Sequence, residues 1–151
     1  MNHIIQSVLP MENFILGVKF SCGAIKLYDM NPLFSTHPIF AVLKEDTILY
    51  SQVVVDTGGK GVIWNDDLDL SADELWDRGW PEWKEEDLVT IEIEIEEELF
   101  RKVTERLKPY GLTPEDWAVM CLELLAFPPT RQRAISLLGG YRSEQNASLV
   151  D

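Results

Sequence analysis

The segment Val89-Thr90-Ile91-Glu92-Ile93-Glu94-Ile95 carries a branched apolar side chain at every odd position and a polar one at every even position. Strict alternation of this kind marks a strand with one face buried and the other wet. From Glu96 the spacing turns helical, with Leu99, Val103 and Leu107 recurring at four-residue steps and Phe100 beside them. Glu96, Glu97 and Glu98 occupy the first turn and Arg106 and Lys108 the last, as the helix dipole favours. Pro109 and Gly111 end that helix. Thr113-Pro114-Glu115-Asp116 then opens a second one, with a threonine cap and proline at the first helical position. Trp117, Val119, Met120, Cys121, Leu122, Leu124 and Leu125 make it apolar nearly all round, which requires burial on more than one side. A seven-residue strand followed by two helices cannot close a sheet. Its partner strand must come from the N-terminal part of the chain or from a second copy. Pairing with a twin strand gives a two-stranded antiparallel ribbon under four helices. The expected homodimer interface is then Ile91, Ile93, Ile95, Leu99, Trp117 and Leu122.

The first half reads differently. Ile4–Leu9, Phe14–Phe20 and Ala24–Asp29 are β-prone runs separated by Pro10–Asn13 and Ser21-Cys22-Gly23, both turn chemistry. Between Phe14 and Phe20 the even positions are Phe, Leu, Val and Phe, the pattern of one buried sheet face. Asn31 and Pro32 close the third strand, and His37-Pro38 precedes a short helix over Ile39–Leu43. Ile48–Asp56 reads as a fourth strand, and Thr57-Gly58-Gly59-Lys60 turns into a fifth at Gly61–Trp64. Ser71 and Glu74 have the spacing of a capping box for a short helix. The expected fold is α+β: a small antiparallel sheet domain with short helices over 1–77, then a strand-helix-helix dimerisation segment over 89–126. Residues 78–88 form an acidic, Pro- and Gly-broken linker whose Trp80 and Trp83 are costly to leave in water. A tail over 127–151, with the spacing of a short helix, completes the chain.

Five Trp and six Phe in 151 residues provide enough apolar surface to fold. The formal net charge of −13 repels phosphate and anionic membrane surfaces and argues against nucleic acid as a partner. Cys22 and Cys121 stand far apart without CxxC or Cys/His spacing, so neither zinc nor a redox pair is indicated. The first twenty residues lack a basic n-region, and no run of eighteen apolar residues occurs. The expectation is a cytoplasmic protein that does not enter membranes.

The N-terminal residues resemble the DUF2442 family, through the strand order, Gly23 ahead of a strand ending in Tyr28-Asp29, and the stretch from Val62 to Leu75. The likeness covers about residues 3–77. It implies a small uncharacterised α+β domain with no established catalytic residues, of the kind encoded in compact two-gene arrangements. The strand-helix-helix order, with Gly111-Leu112-Thr113 leading the second helix, is similar to ribbon-helix-helix antitoxins over about residues 88–126. That likeness implies a dimer formed through the strand, an operator met by outward strand side chains, and a C-terminal tail that covers a toxin.

The outward, possible DNA-facing positions are here Thr90, Glu92 and Glu94, with Arg101 and Lys102 nearby. A dimer would set four strand carboxylates against the groove. Over 89–126 nine acids face four bases, so non-specific affinity for DNA is expected to be poor. No catalytic residues, cofactor or metal site are expected. Asp66, Asp67 and Asp69 lack the ligand spacing of a calcium loop and read as a solvated loop running into the Ser71 cap. Thr57–Gly61 lacks the full phosphate-loop signature and reads as a hairpin turn. The tail is the only net-positive region, with Arg131, Arg133 and Arg142. Trp80, Trp83, Arg131 and Arg133 are the candidates for contact with a protein partner, toxin-like or otherwise basic. The function expected is a non-enzymatic, antitoxin-like dimeric binding module. The alternatives are a repressor of its own operon acting through the ribbon and, further off, an enzyme using the Asp66–Asp69 loop.

Overall fold

A computed structural model describes residues 3–128. The chain is α+β, with two three-stranded antiparallel sheets, four short helices among and after their strands, and two longer helices at the C-terminal end. The first sheet is a meander of β1 (Ile5–Met11), β2 (Ile15–Phe20) and β3 (Ile25–Asp29). Helices α1 (Asn31–Thr36), α2 (Ala41–Glu45) and α3 (Thr47–Ser51) follow. The second sheet is β4 (Val54–Val55), β5 (Gly61–Asn65) and β6 (Leu68–Ser71), closed by α4 (Ala72–Asp77).

The alternation in β2 predicts one buried face, and the structure buries both. Leu16, Val18 and Phe20 enter a core with Val62, Leu68 and Leu75. Ile15, with Ile25 and Leu27 of β3, enters a second core with Leu107, Leu112, Met120 and Phe127. The second layer is the helical pair α5 (Glu97–Leu107) and α6 (Pro114–Ala126). Gly17 is the point of closest approach, because a Cβ there would stand 2.8 Å from Sδ of Met120.

Two expectations from the sequence are corrected. Ile48–Asp56 is not one strand: it opens as α3, whose N-terminus is capped where Asp46 Oδ1 accepts from the Leu49 amide at 3.0 Å, and only Val54 and Val55 pair. Leu68–Ser71, read as a loop, is a strand paired with β5. The third strand ends before Asn31 as read, and Asn31 also begins α1, with Pro32 in its first turn. The other turns stand as read. Gly58 and Gly59 adopt positive φ of 73° and 71° between β4 and β5, and at Gly59 a Cβ would stand 2.6 Å from the Ile5 carbonyl. Ser71 caps α4 by accepting from the Glu74 amide at 3.1 Å.

The linker docks on the first sheet. Trp80 and Leu27 exchange backbone hydrogen bonds at 2.7 and 2.8 Å, which extends the sheet by one bridge beyond β3. The Trp80 ring lies 5.4 Å from that of Phe127, and Trp83 stands edge-on to Trp76. Among the described residues no helix is long and apolar enough to cross a membrane. Arg131, Arg133 and the tail beyond Pro128 lie outside the described residues.

Candidate self-association surface

Residues 88–96 have neither helix nor strand between the short turn Glu85–Asp87 and the start of α5 at Glu97, and the backbone is extended at both ends, Leu88 and Glu96. They belong to neither sheet, so the strand expected at 89–95 has no partner within the described residues. The alternative in which it joins the N-terminal sheet of its own chain is therefore not realised. Its apolar face is open: Val89 is 87% exposed, Ile91 67%, Ile93 68% and Ile95 44%. Thr90, Glu92 and Glu94 are exposed on the other face.

The strip is continuous in sequence with the outer surface of the helical pair. On α5, Leu99 and Phe100 are exposed while Leu107 enters the second core. Helix α6 has two apolar faces with different fates. Asp116, Met120, Leu124 and, just past the helix, Phe127 recur at helical spacing and pack on the sheet. Trp117, Val119, Leu122 and Leu125 are exposed, Trp117 beside a groove that it shares with Leu9, Pro10 and Met11 of β1. Each of the six residues expected at a dimer interface is thus exposed in the single chain.

Polar contacts fasten α6 to the sheet. Asp116 Oδ2 accepts from the Thr113 amide at 2.9 Å and pairs with Nζ of Lys19 on β2 at 3.0 Å, while Thr113 Oγ1 accepts from the Asp116 amide. One carboxylate therefore caps the helix and anchors it. Ser7 Oγ donates to the Gly111 carbonyl at 3.3 Å. Lys26 on β3 is buried, with Nζ donating to the Trp76 carbonyl at 2.6 Å and lying 4.6 Å above the Trp76 ring. Burial lowers its pKa, opposed by the charges of Asp77, Glu82 and Glu123. Glu123 on α6 has a buried Oε1 with no hydrogen-bond partner among the described residues, and burial pushes its carboxyl up to about 8 against the pull of Lys26. Thr113 was legible in the sequence as the helix cap, with Asp116 as one of the acids behind it. Lys19, Lys26 and Glu123 were not singled out, and the only available signal was polar residues at positions whose neighbours are all apolar.

The remaining residues considered for function are placed as follows. Arg101 is held by its own helix, pairing with Glu98 and, at 2.8 Å, with Glu105. Lys102 is exposed on the same helix. Trp80 and Trp83 are half-buried against their own chain. Asp66 and Asp67 form the β5–β6 turn, and Asp69 points outward from β6. Among the described residues no group of three or more His, Cys, Asp or Glu could hold a metal ion. A cleft of about 970 Å³ beside α4 is walled by Tyr28, His37, Phe40, Glu74, Trp80 and Phe127. Its principal polar groups satisfy one another: the Tyr28 hydroxyl donates to Glu74 Oε2 at 2.8 Å, and Arg78 pairs with Oε1 of the same carboxylate. Burial first, then the bond to Glu74, raises the Tyr28 pKa well above its ordinary value.

Residues 5–79 match the family described as protein of unknown function (DUF2442), which makes the N-terminal unit a DUF2442 domain. The match ends at Gly79 and includes none of the strand-helix-helix segment. No curated protein and no solved structure matches this chain.

Proposed function

We propose that the DUF2442 domain is carried here by a self-pairing segment, and that the protein is a non-enzymatic, antitoxin-like dimeric module that binds a basic protein partner. One observation carries the reading: the run 88–96 leaves Val89, Ile91, Ile93 and Ile95 exposed and lies outside both sheets. Backbone groups and branched side chains are both left to water there. A second copy of the same run supplies what each lacks, because an isologous antiparallel pair satisfies main chain and apolar face together. Ile91, Ile93, Ile95, Leu99, Trp117 and Leu122 form the interface in this reading.

The net charge of −13 favours a basic partner, drawn by long-range attraction that salt weakens. Trp80 and Trp83 keep open ring surface for such a contact, and Arg131 and Arg133 would add to it from beyond the described residues. The operator-binding alternative needs cations aimed outward. The ribbon offers Thr90, Glu92 and Glu94, and Arg101 is already engaged with Glu98 and Glu105. A gel shift on upstream DNA at physiological salt decides that alternative, and none is expected.

Light scattering across a wide dilution series tests the main reading. A dimer is expected for the wild type and a monomer for Ile93→Asp, with unchanged circular dichroism in the monomeric range. A wild-type monomer at every concentration removes the reading. Failure of a co-expressed small basic partner to copurify removes its partner half.

A further inference from the structure

A cavity of about 430 Å³ opens between the start of β1, the turn from β2 to β3 and the linker. Much of its wall is aromatic. The His3 imidazole stacks on the Trp76 indole, with centroids 4.1 Å apart and planes 8° from parallel, and Phe20 and Trp83 meet the same indole edge-on. Ser21 and Cys22 of the turn continue the wall, and the linker adds Lys84, Glu85 and Glu86. Between residues 82 and 87 four carboxylates, on Glu82, Glu85, Glu86 and Asp87, stand against the one cation of Lys84. Glu85 and Glu86 are exposed and make no ion pair among the described residues.

Rings and carboxylates in one cavity select the same kind of guest. The face of an aromatic ring is negative and attracts a cation, and neighbouring carboxylates add to that field. The chain already uses this contact internally, because the Lys26 ammonium lies 4.6 Å over the Trp76 ring. An anion would meet Glu85 and Glu86, and a wholly apolar guest would leave both unpaired. Among cationic side chains arginine suits the cavity better than lysine. Its planar guanidinium lies flat on a ring and bonds a carboxylate through two parallel N–H groups. We infer that the cavity receives an arginine side chain of the basic partner, its stem against His3 and Trp83 and its guanidinium at Glu85 and Glu86.

This inference rests on the basic-partner reading and is tested apart from it. Acetyl-arginine amide is titrated into the full chain and followed through the indole N–H signals in proton–nitrogen correlation spectra. Saturating shifts are expected at Trp76 and Trp83, and none at Trp117, which is exposed on α6 outside the cavity. Acetyl-citrulline amide, of nearly the same shape without the charge, is expected to bind about fivefold more weakly or less. Trp83→Ala should weaken the arginine probe about three- to tenfold. Glu85→Gln should weaken it about two- to fivefold, and Glu45→Gln, an equal loss of charge on α2, should change it less. The Trp64 indole signal, set by its bond to the Tyr50 carbonyl, reports that each variant is folded. No shift at Trp76 and Trp83, equal shifts at Trp117, equal binding of citrulline, or equal effects of Glu85→Gln and Glu45→Gln would overturn the site. A basic partner that copurifies as well with Trp83→Ala as with the wild type would also overturn it while leaving the partner reading. Arginine binding as expected, with no basic protein copurifying, keeps the site and removes the partner reading.

Discussion

Strand β2 and the run 89–95 are built from the same materials and meet opposite fates. Both place apolar residues on alternate positions, and both are long enough for a sheet. Strand β2 has hydrogen-bonded neighbours on each edge and a core on each face, whereas residues 89–95 have none of these among the described residues. Alternation therefore states which side chains need covering and is silent about what covers them. For β2 the cover includes a helix about a hundred residues away in sequence; for 89–95 it is assigned here to a second copy.

The comparison can be broken most forcefully at Leu27, which lies fully buried between β2 and α6. Leu27→Ala is expected to cost about 2–5 kcal/mol in urea unfolding. Ile93→Ala should leave the unfolding of the monomer within about 0.5 kcal/mol and act on self-association instead. Comparable losses of monomer stability in the two variants would mean that the regions do not differ as described. Next in size is Asp116→Ala, which removes a helix cap and the anchor to Lys19 together. A loss of about 1–2 kcal/mol is expected, again by urea.

The contrast also has a pH dependence. Glu123 keeps its proton up to about 8 in the folded chain, against an ordinary value of 4.5. Between those values the folded state holds a proton that the unfolded state has released, so stability falls as pH rises through that window. Lys26, with a lowered pKa, acts with the opposite sign and only at the alkaline end, below its ordinary 10.5. The wild type is expected to show urea midpoints that decline between pH 5 and pH 8, and Glu123→Gln to flatten that decline; an unaltered slope would show that Glu123 is not its source. The smallest effect is expected from Arg101→Ala. Its ion pairs lie on the exposed face of α5, so thermal stability should change by less than about 0.5 kcal/mol.

The α+β class, the first three strands, the glycine turn at Gly58-Gly59 and the caps at Ser71 and Thr113 were legible because each is written in neighbouring residues. What was misread depends on distant ones. Ile48 and Tyr50 favour strands by composition, yet Asp46 caps a helix there and the Tyr50 hydroxyl is held by backbone from the first sheet. The second face of the first sheet was signalled by Ile15, Ile25 and Leu27, but nothing in those strands reveals that α6 is what covers them. At the candidate surface the exposed apolar residues were legible from spacing alone. The buried Lys26 and Glu123 were not, because a single charged residue in an apolar run does not disclose whether water reaches it.

Tyr50 has one more consequence. Its hydroxyl, 2.9 and 3.0 Å from the Met11 and Ile15 carbonyls, shares one proton between the two ends of the β1–β2 turn, while its own carbonyl accepts from the Trp64 indole at 3.0 Å. One side chain and its backbone thus join the first sheet to the second through buried bonds that water cannot readily replace. Opening the first sheet strands the Tyr50 hydroxyl, and opening the second strands the Tyr50 carbonyl. The two should behave as one cooperative unit, so that in native-state hydrogen exchange the amides of Val18 and Val62 share a common opening free energy.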